Sequence, residues 1–272
     1  MRRSILSLVL ASAIVTPLGC VGDPEHEDFQ LWLEEMEWPI VGGQTTSGWD
    51  SVVMLGLDES ICTATVVSPD VILTAAHCLE GQWGSLDIYW CNDCWGQGYW
   101  AHRSSNDYHQ HPHYNPANMA GDLGVVLLNS NSPSEPVALN RDAAGNTWLG
   151  NSHPLTSIGF GVTAGHLSNS GTKREVTVAA TSWDGTFLYS EDPSHGICFG
   201  DSGGPAMTSH DGGWKVAGVH SWVSGNCNDI GASIRVDTYQ SWIDDYTGEW
   251  TPDDDDDTGP GDDDTGPGDD DT

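Results

Sequence analysis

Basic side chains are scarce in this sequence. Eight Lys and Arg stand against 40 Asp and Glu among 272 residues, a formal charge of −32. A surface of that sign repels phosphate backbones, which excludes nucleic acid as a partner. Long apolar runs are missing too: beyond the first residues, no stretch reaches the roughly 20 consecutive apolar residues that cross a bilayer as a helix. Charged residues of both signs amount to only 18%, whereas Gly reaches 33 and Trp 13, a balance that favours short strands and many turns over long helices. The length allows one large domain or two modest ones around a core of useful size.

The two ends differ from the middle. Arg2 and Arg3, followed by an apolar segment from Ile5 to Val15, have the charge and length of an export signal, although two arginines alone do not specify the twin-arginine route. The next residues, Thr16-Pro17-Leu18-Gly19-Cys20, resemble a bacterial lipoprotein signal in which Cys20 becomes the lipidated first residue. Pro17 and Leu18 depart from the usual pattern, and an ordinary secretory signal cut nearby is the plainer alternative. Residues 1–20 are thus read as the signal and 21–39 as an acidic pro-segment, with no Lys or Arg from Cys20 to Pro39. Either signal exports the chain, to the bacterial cell envelope or outside it, and an N-terminal lipid is its sole expected link to a membrane. At the other end, the unit Asp-Asp-Asp-Thr-Gly-Pro-Gly fills 255–261 and 262–268 and begins again at 269. From Thr251 on there are eleven Asp and no apolar side chain, so nothing offsets the entropy of ordering the chain. Residues 249–272 read as a disordered acidic tail, a solvated spacer whose spacing does not fit an EF-hand loop.

Seven cysteines is an odd number, but setting Cys20 aside leaves Cys62, Cys78, Cys91, Cys94, Cys198 and Cys227. An oxidising compartment would pair this even set, with a connectivity that spacing alone leaves open. Between the two ends, the runs Val52–Leu57, Thr63–Val67, Val71–Leu73, Leu123–Leu128, Leu155–Ile158, Val176–Ala180 and Val216–Val219 are short, rich in β-branched residues and mostly separated by turn formers. They predict an all-β sandwich or barrel. Val236, Tyr239, Trp242, Ile243 and Tyr246 recur at helical offsets and predict a closing helix.

The chemistry lies in three short segments. Gly200-Asp201-Ser202-Gly203-Gly204-Pro205 surrounds a serine with glycines, which let a substrate approach the backbone closely. A hydroxyl is a weak nucleophile until a neighbouring base takes its proton, and His77, in Thr74-Ala75-Ala76-His77-Cys78, is the candidate base. A third group must hold that imidazole in the right tautomer; Asp122, an isolated acid ahead of the apolar run Leu123–Leu128, suits the task.

Together with Ile40-Val41-Gly42-Gly43 and Ser221-Trp222, these segments resemble the trypsin/chymotrypsin family of serine proteases, in the family's order and over residues 40–248. His111-Pro112-His113-Tyr114-Asn115, Gly159-Phe160-Gly161 and the closing helix agree with it. The resemblance implies two antiparallel six-stranded β-barrels, a C-terminal helix, and a His77–Asp122–Ser202 triad in the cleft between the barrels. It implies an oxyanion hole from the N–H groups of Gly200 and Ser202, a protein or peptide substrate and no cofactor. It also implies disulfides Cys62–Cys78 and Cys198–Cys227. Cys91–Cys94 has no counterpart in the family and falls in an insertion-like stretch, Trp90–Trp100; with His102, His109, His111 and His113 downstream it has the makings of a zinc site, against which exported thiols favour a local disulfide and no metal.

By the same resemblance, Gly196 lies at the base of the specificity pocket, where an acid would select Lys or Arg. Ile197, Ser221, Trp222, Val223 and Gly231 line it, so cleavage after small or medium apolar residues is expected, with aromatic residues the alternative. A cut before Ile40 would free an α-amine to pair with Asp201. The residues ahead of that bond suit neither trypsin-like nor apolar self-cleavage, so a separate activating protease is expected. His220 reads as a packed core residue. Trp83, Trp90, Trp95 and Trp100 read equally as loop packing or as an exosite for a protein. A binding module on an inactive protease scaffold is the competing function, and reaction with a fluorophosphonate would tell the two apart.

Overall fold

The computed structural model describes residues 40–58, 60–144, 152–210 and 213–248. The expectations for the signal, Cys20, the pro-segment and the acidic tail lie outside the described residues.

A two-residue strand, β1 (Gln44–Thr45), precedes two β-units. The first contains β2 (Val52–Gly56), β3 (Ile61–Ser68), β4 (Val71–Thr74), β5 (Leu86–Asp93), β6 (Gly98–Ser105), β7 (Tyr108–Gln110) and β8 (Gly124–Leu127). They pair antiparallel in the order β6-β5-β2-β3-β4-β8-β7, a sheet curled into a half-barrel. The second contains β9 (Ala138–Leu139), β10 (His153–Gly159), β11 (Arg174–Trp183), β12 (Phe187–Glu191), β13 (Pro205–His210), β14 (Gly213–Val223) and β15 (Ile230–Arg235). The path β11-β10-β13-β14-β15-β12 returns to β11, giving a closed six-stranded antiparallel barrel; β1 adds to β11 and β9 runs parallel beside β14. One helix, α1 (Gln240–Thr247), follows.

Side-chain pattern explains which strands are covered on one face or on both. In β2 and β4 the continuous runs Val52-Val53-Met54-Leu55 and Val71-Ile72-Leu73 are buried throughout, as strands covered on both faces require. β11 instead alternates, burying Val176, Val178 and Ala180 while Thr177 and Ala179 face solvent. Each fully buried branched side chain is worth about 1.5–3 kcal/mol, so these strands carry much of the core. The helix uses only part of the predicted stripe. Ile243 is fully buried, but Val236 precedes the helix and its N–H bonds Ala217 O at 3.2 Å, extending the barrel instead.

The insertion-like stretch is the β5–β6 hairpin. Its tip reaches the second unit: Cys94 N donates to Gly171 O at 2.9 Å and Lys173 N donates to Asn92 O at 2.6 Å. Trp95 packs over Gly171 so closely that a Cβ there would overlap the indole. Beside it Lys173 is buried, its Nζ donating to Trp49 O at 3.0 Å and Gly48 O at 3.3 Å; burial pushes this amine down to about 8.

Candidate active site

Strand register brings the histidine and the acid together. β4 pairs with β8 so that Thr74 faces Gly124. His77 stands three residues after Thr74, in a 3-10 turn (Ala76–Leu79), and Asp122 stands two residues before Gly124. Asp122 is fully buried, and both of its oxygens are used. Oδ1 accepts the His77 backbone N–H at 2.9 Å, and Oδ2 lies 2.8 Å from His77 Nδ1. Ser221 Oγ donates to the same Oδ2 at 2.5 Å. The imidazole is therefore fixed at Nδ1, with a quarter of the side chain open to solvent.

Ser202 arrives from the other unit, in the turn that leads into β13. That turn is knitted to β14 by Gly203 N–His220 O and His220 N–Gly204 O, both 2.8 Å. It is docked on β3 by Thr63, whose N–H donates to Ser202 O at 2.8 Å and whose hydroxyl donates to Gly200 O at 2.9 Å. Gly203 has φ +82°, and a Cβ there would run into Thr63 O and Thr74 Oγ1, so only glycine fits. His77 and Ser202 line one cavity of about 250 Å³ with Ile197, Phe199, Trp222 and Val223. Ser221 also touches this cavity, whereas Gly196 and Gly231 line a separate recess of about 10 Å³. Ile197 borders both spaces and packs against Gly231, where an added Cβ would stand 3.1 Å from its Cγ1. The branched side chain of Ile197 thus separates the predicted pocket base from the cavity.

Asp201 is fully buried behind the serine, its carboxylate accepting Gly161 N at 2.8 Å and Cys198 N at 2.7 Å. Burial pushes this carboxyl up to about 7, opposed by the two N–H donors and by the Arg174 guanidinium. Ile40 is also buried, packing on Val176 and Val178. His220 is a buried core residue with Nδ1 2.9 Å from Ser233 Oγ, and burial pushes its imidazole down to about 3, leaving it neutral at ordinary pH.

The cysteines pair as Cys62–Cys78, Cys91–Cys94 and Cys198–Cys227. The histidines once grouped with Cys91 and Cys94 are dispersed: His102 pairs with Asp87 at 2.9 Å, His109 with Asp107 at 2.9 Å, and His111 packs against Tyr239 and Trp242. Of the tryptophans, Trp90 is fully buried with Nε1 on Ser134 Oγ, while Trp83, Trp95 and Trp100 are exposed. Reading the sequence missed Thr63, the contact of Ser221 with Asp122, and Phe199 in the cavity of Ser202; only Phe199 had a signal, its place just before Gly200.

A serine in a glycine-rich turn shares one cavity with an acid-anchored imidazole from the other β-unit, an arrangement suited to a serine hydrolase. Residues 40–243 match the family model described as Trypsin. The chain belongs to that family and is a serine endopeptidase. It is 26% identical over 238 residues to trypsin epsilon of Drosophila erecta, covering 78% of this chain and 89% of that protein. Against rat granzyme M it is 27% identical over 253 residues (82% of this chain, 95% of the other), and against serine protease 1 of Drosophila melanogaster 29% over 206 residues (69% and 76%).

Proposed function

We propose that the chain is an exported precursor of a serine endopeptidase that works through Ser202, His77 and Asp122. The observation that carries the reading is the Asp122 carboxylate, fully buried and shared between His77 and Ser221 beside the cavity of Ser202. Ser202 Oγ attacks the scissile carbonyl while His77 takes its proton, and His77 then protonates the leaving amine. Water, deprotonated by the same imidazole, hydrolyses the acyl-enzyme. The backbone N–H groups of Gly200 and Ser202 stabilise the oxyanion in both halves of the reaction. Treatment with a fluorophosphonate is expected to modify Ser202, read by peptide mass mapping; a processed enzyme that resists the probe would refute the reading.

Ile197 floors the cavity and no acid lines it, so a Lys or Arg before the scissile bond would be desolvated without a partner. Cleavage is expected after Ala, Val or Leu. A peptide library varied at the residue before the cut checks this, and a dominant Arg or Lys preference would overturn it.

Activation is assigned to a cut at Pro39–Ile40 by a separate protease, which frees the Ile40 amine to pair with Asp201. Ile40 supports this, since it is β-branched yet held at φ +40°, a strained conformation that cleavage can release. With Cys20 lipidated, the same cut releases the catalytic domain from the membrane, and the acidic tail beyond residue 248 stays with the soluble form. Before the cut, the Asp201 carboxyl takes up protons in the folded state near pH 7 and in the unfolded chain only near pH 4. Its contribution to stability is therefore present below pH 4 and is lost as pH rises through 7, a change of roughly 4 kcal/mol for the uncut chain. Urea unfolding of the uncut chain and of Asp201→Asn, each at pH 5 and 8, isolates this group from His220, which acts in the opposite direction. The difference should shrink in the chain beginning at Ile40, where the amine holds Asp201 ionised, and an unchanged difference would argue against the pair.

A further inference from the structure

Asp201 is sandwiched between two glycines: a Cβ on Gly159 would overlap its Oδ1, and a Cβ on Gly161 would stand 2.7 Å from its Cγ. Gly161 also meets the turn that carries the serine. A Cβ on Gly200 would lie 2.9 Å from Gly161 Cα, and the next residue, Val162, donates its N–H to Phe199 O at 2.9 Å. The backbone of residues 159–162 is thus the surface on which residues 199–201 are folded.

Arg174 holds that surface in place. Antiparallel register sets it directly across from Gly159, at the start of β11. The residue is buried, and its Nη1 donates to Gly161 O at 3.2 Å and to Asn169 O at 3.1 Å. Gly161 therefore carries Arg174 on its carbonyl and Asp201 on its N–H, the latter at 2.8 Å. A guanidinium is charged at every working pH. Its field opposes the burial of the Asp201 carboxyl, whose other support is the N–H groups of Gly161 and Cys198. Lys173, one residue earlier, is turned elsewhere, with Nζ on Gly48 O and Trp49 O. The Ile40 amine exists only after the cut, whereas the charge of Arg174 is present before and after it.

We propose that Arg174 is a positioning residue for the oxyanion site. By holding Gly161 and setting a permanent positive charge within reach of Asp201, it keeps the turn of Gly200 and Ser202 formed before the cut at Pro39–Ile40. The uncut chain then has a basal reactivity, which the Ile40 amine raises. The proposal rests on the endopeptidase reading of Ser202 and adds to it a residue that acts through Gly161 and Asp201.

The test compares the full uncut chain with the form beginning at Ile40, each as the parent, Arg174→Gln and Arg174→Lys. The readout is the rate of reaction with a fluorophosphonate, in which Ser202 Oγ displaces fluoride from phosphorus and its proton passes to His77. Intact mass identifies the labelled chain as cut or uncut. The uncut parent is expected to react, more slowly than the processed form. Arg174→Gln should slow the uncut chain by about tenfold but the processed chain by only about twofold, because the amine supplies a charge there. Arg174→Lys keeps the charge and should recover most of the uncut rate. A role in folding alone would slow both forms alike.

An uncut parent that stays unlabelled while the processed form reacts would overturn the proposal, and this comparison needs no variant. Equal losses in the two forms, or a Lys variant as slow as the Gln variant, would also overturn it. If neither form of the parent reacts, the endopeptidase reading fails instead, and urea unfolding of the full chain decides the role of Arg174. The stability lost in Arg174→Gln should shrink when Asp201→Asn is already present, and additive losses would overturn the coupling.

Discussion

Ser202→Ala is expected to lower kcat by about 10⁶-fold while leaving substrate binding largely in place. The size follows from how the parts depend on one another. In the proposed mechanism His77 takes the proton of Ser202, with which it shares the cavity, and Asp122 holds His77. Without the hydroxyl neither has a task, and what remains is the oxyanion donors and binding. Folding should be unaffected, because Ser202 is docked through its backbone carbonyl on Thr63 and the alanine keeps that bond. Peptidase activity before and after substitution, with near-ultraviolet circular dichroism as the folding control, is the measurement. Activity within tenfold of the parent would end the assignment.

Asp122→Asn is expected to cost about 10⁴-fold in kcat, and the hydrogen bonds of this chain say why no rotation of the amide rescues it. The carboxylate accepts on both oxygens: the His77 N–H on one, His77 Nδ1 and the Ser221 hydroxyl on the other. Asparagine offers one acceptor. With its oxygen toward Nδ1, its NH₂ meets the His77 backbone N–H, donor against donor. Turned the other way, the NH₂ faces Nδ1 and stabilises the tautomer whose proton sits on the nitrogen meant to accept from Ser202. The loss should therefore fall on kcat far more than on KM. Steady-state kinetics of the purified variant checks it, and a change confined to KM would show that Asp122 serves binding instead.

The parts of the site that depend on short-range chain geometry were legible in the sequence. His77 and Asp122 could be placed because each adjoins a continuous apolar run that becomes a buried strand, β4 or β8. Ser202 could be placed because glycines crowd around it, and Gly203 shows the reason in its left-handed backbone. The β5–β6 hairpin carried no such signal. Its second strand exposes Tyr99 and Trp100, so apolar alternation does not mark it as half buried. Ile197 entered the expected pocket through the family resemblance, but its place between Gly196 and the cavity was illegible. It follows from the packing of its side chain on Gly231, more than thirty residues away, and local sequence does not encode a contact at that separation. The same holds for Thr63, an ordinary strand residue in sequence that anchors the Ser202 turn in space.

The three disulfides all close within one β-unit or the other: Cys62–Cys78 and Cys91–Cys94 in the first, Cys198–Cys227 in the second. Among the described residues no disulfide crosses the junction between the Ser202 and His77 sides, which hydrogen bonds and packing span: Thr63 to Ser202 and Gly200, Ser221 to Asp122, Cys94 to Gly171. Covalent armour therefore guards the two halves one by one, while their alignment rests on a single apolar cluster that runs from Val52 and Leu123 in the first to Met207 and Ile234 in the second.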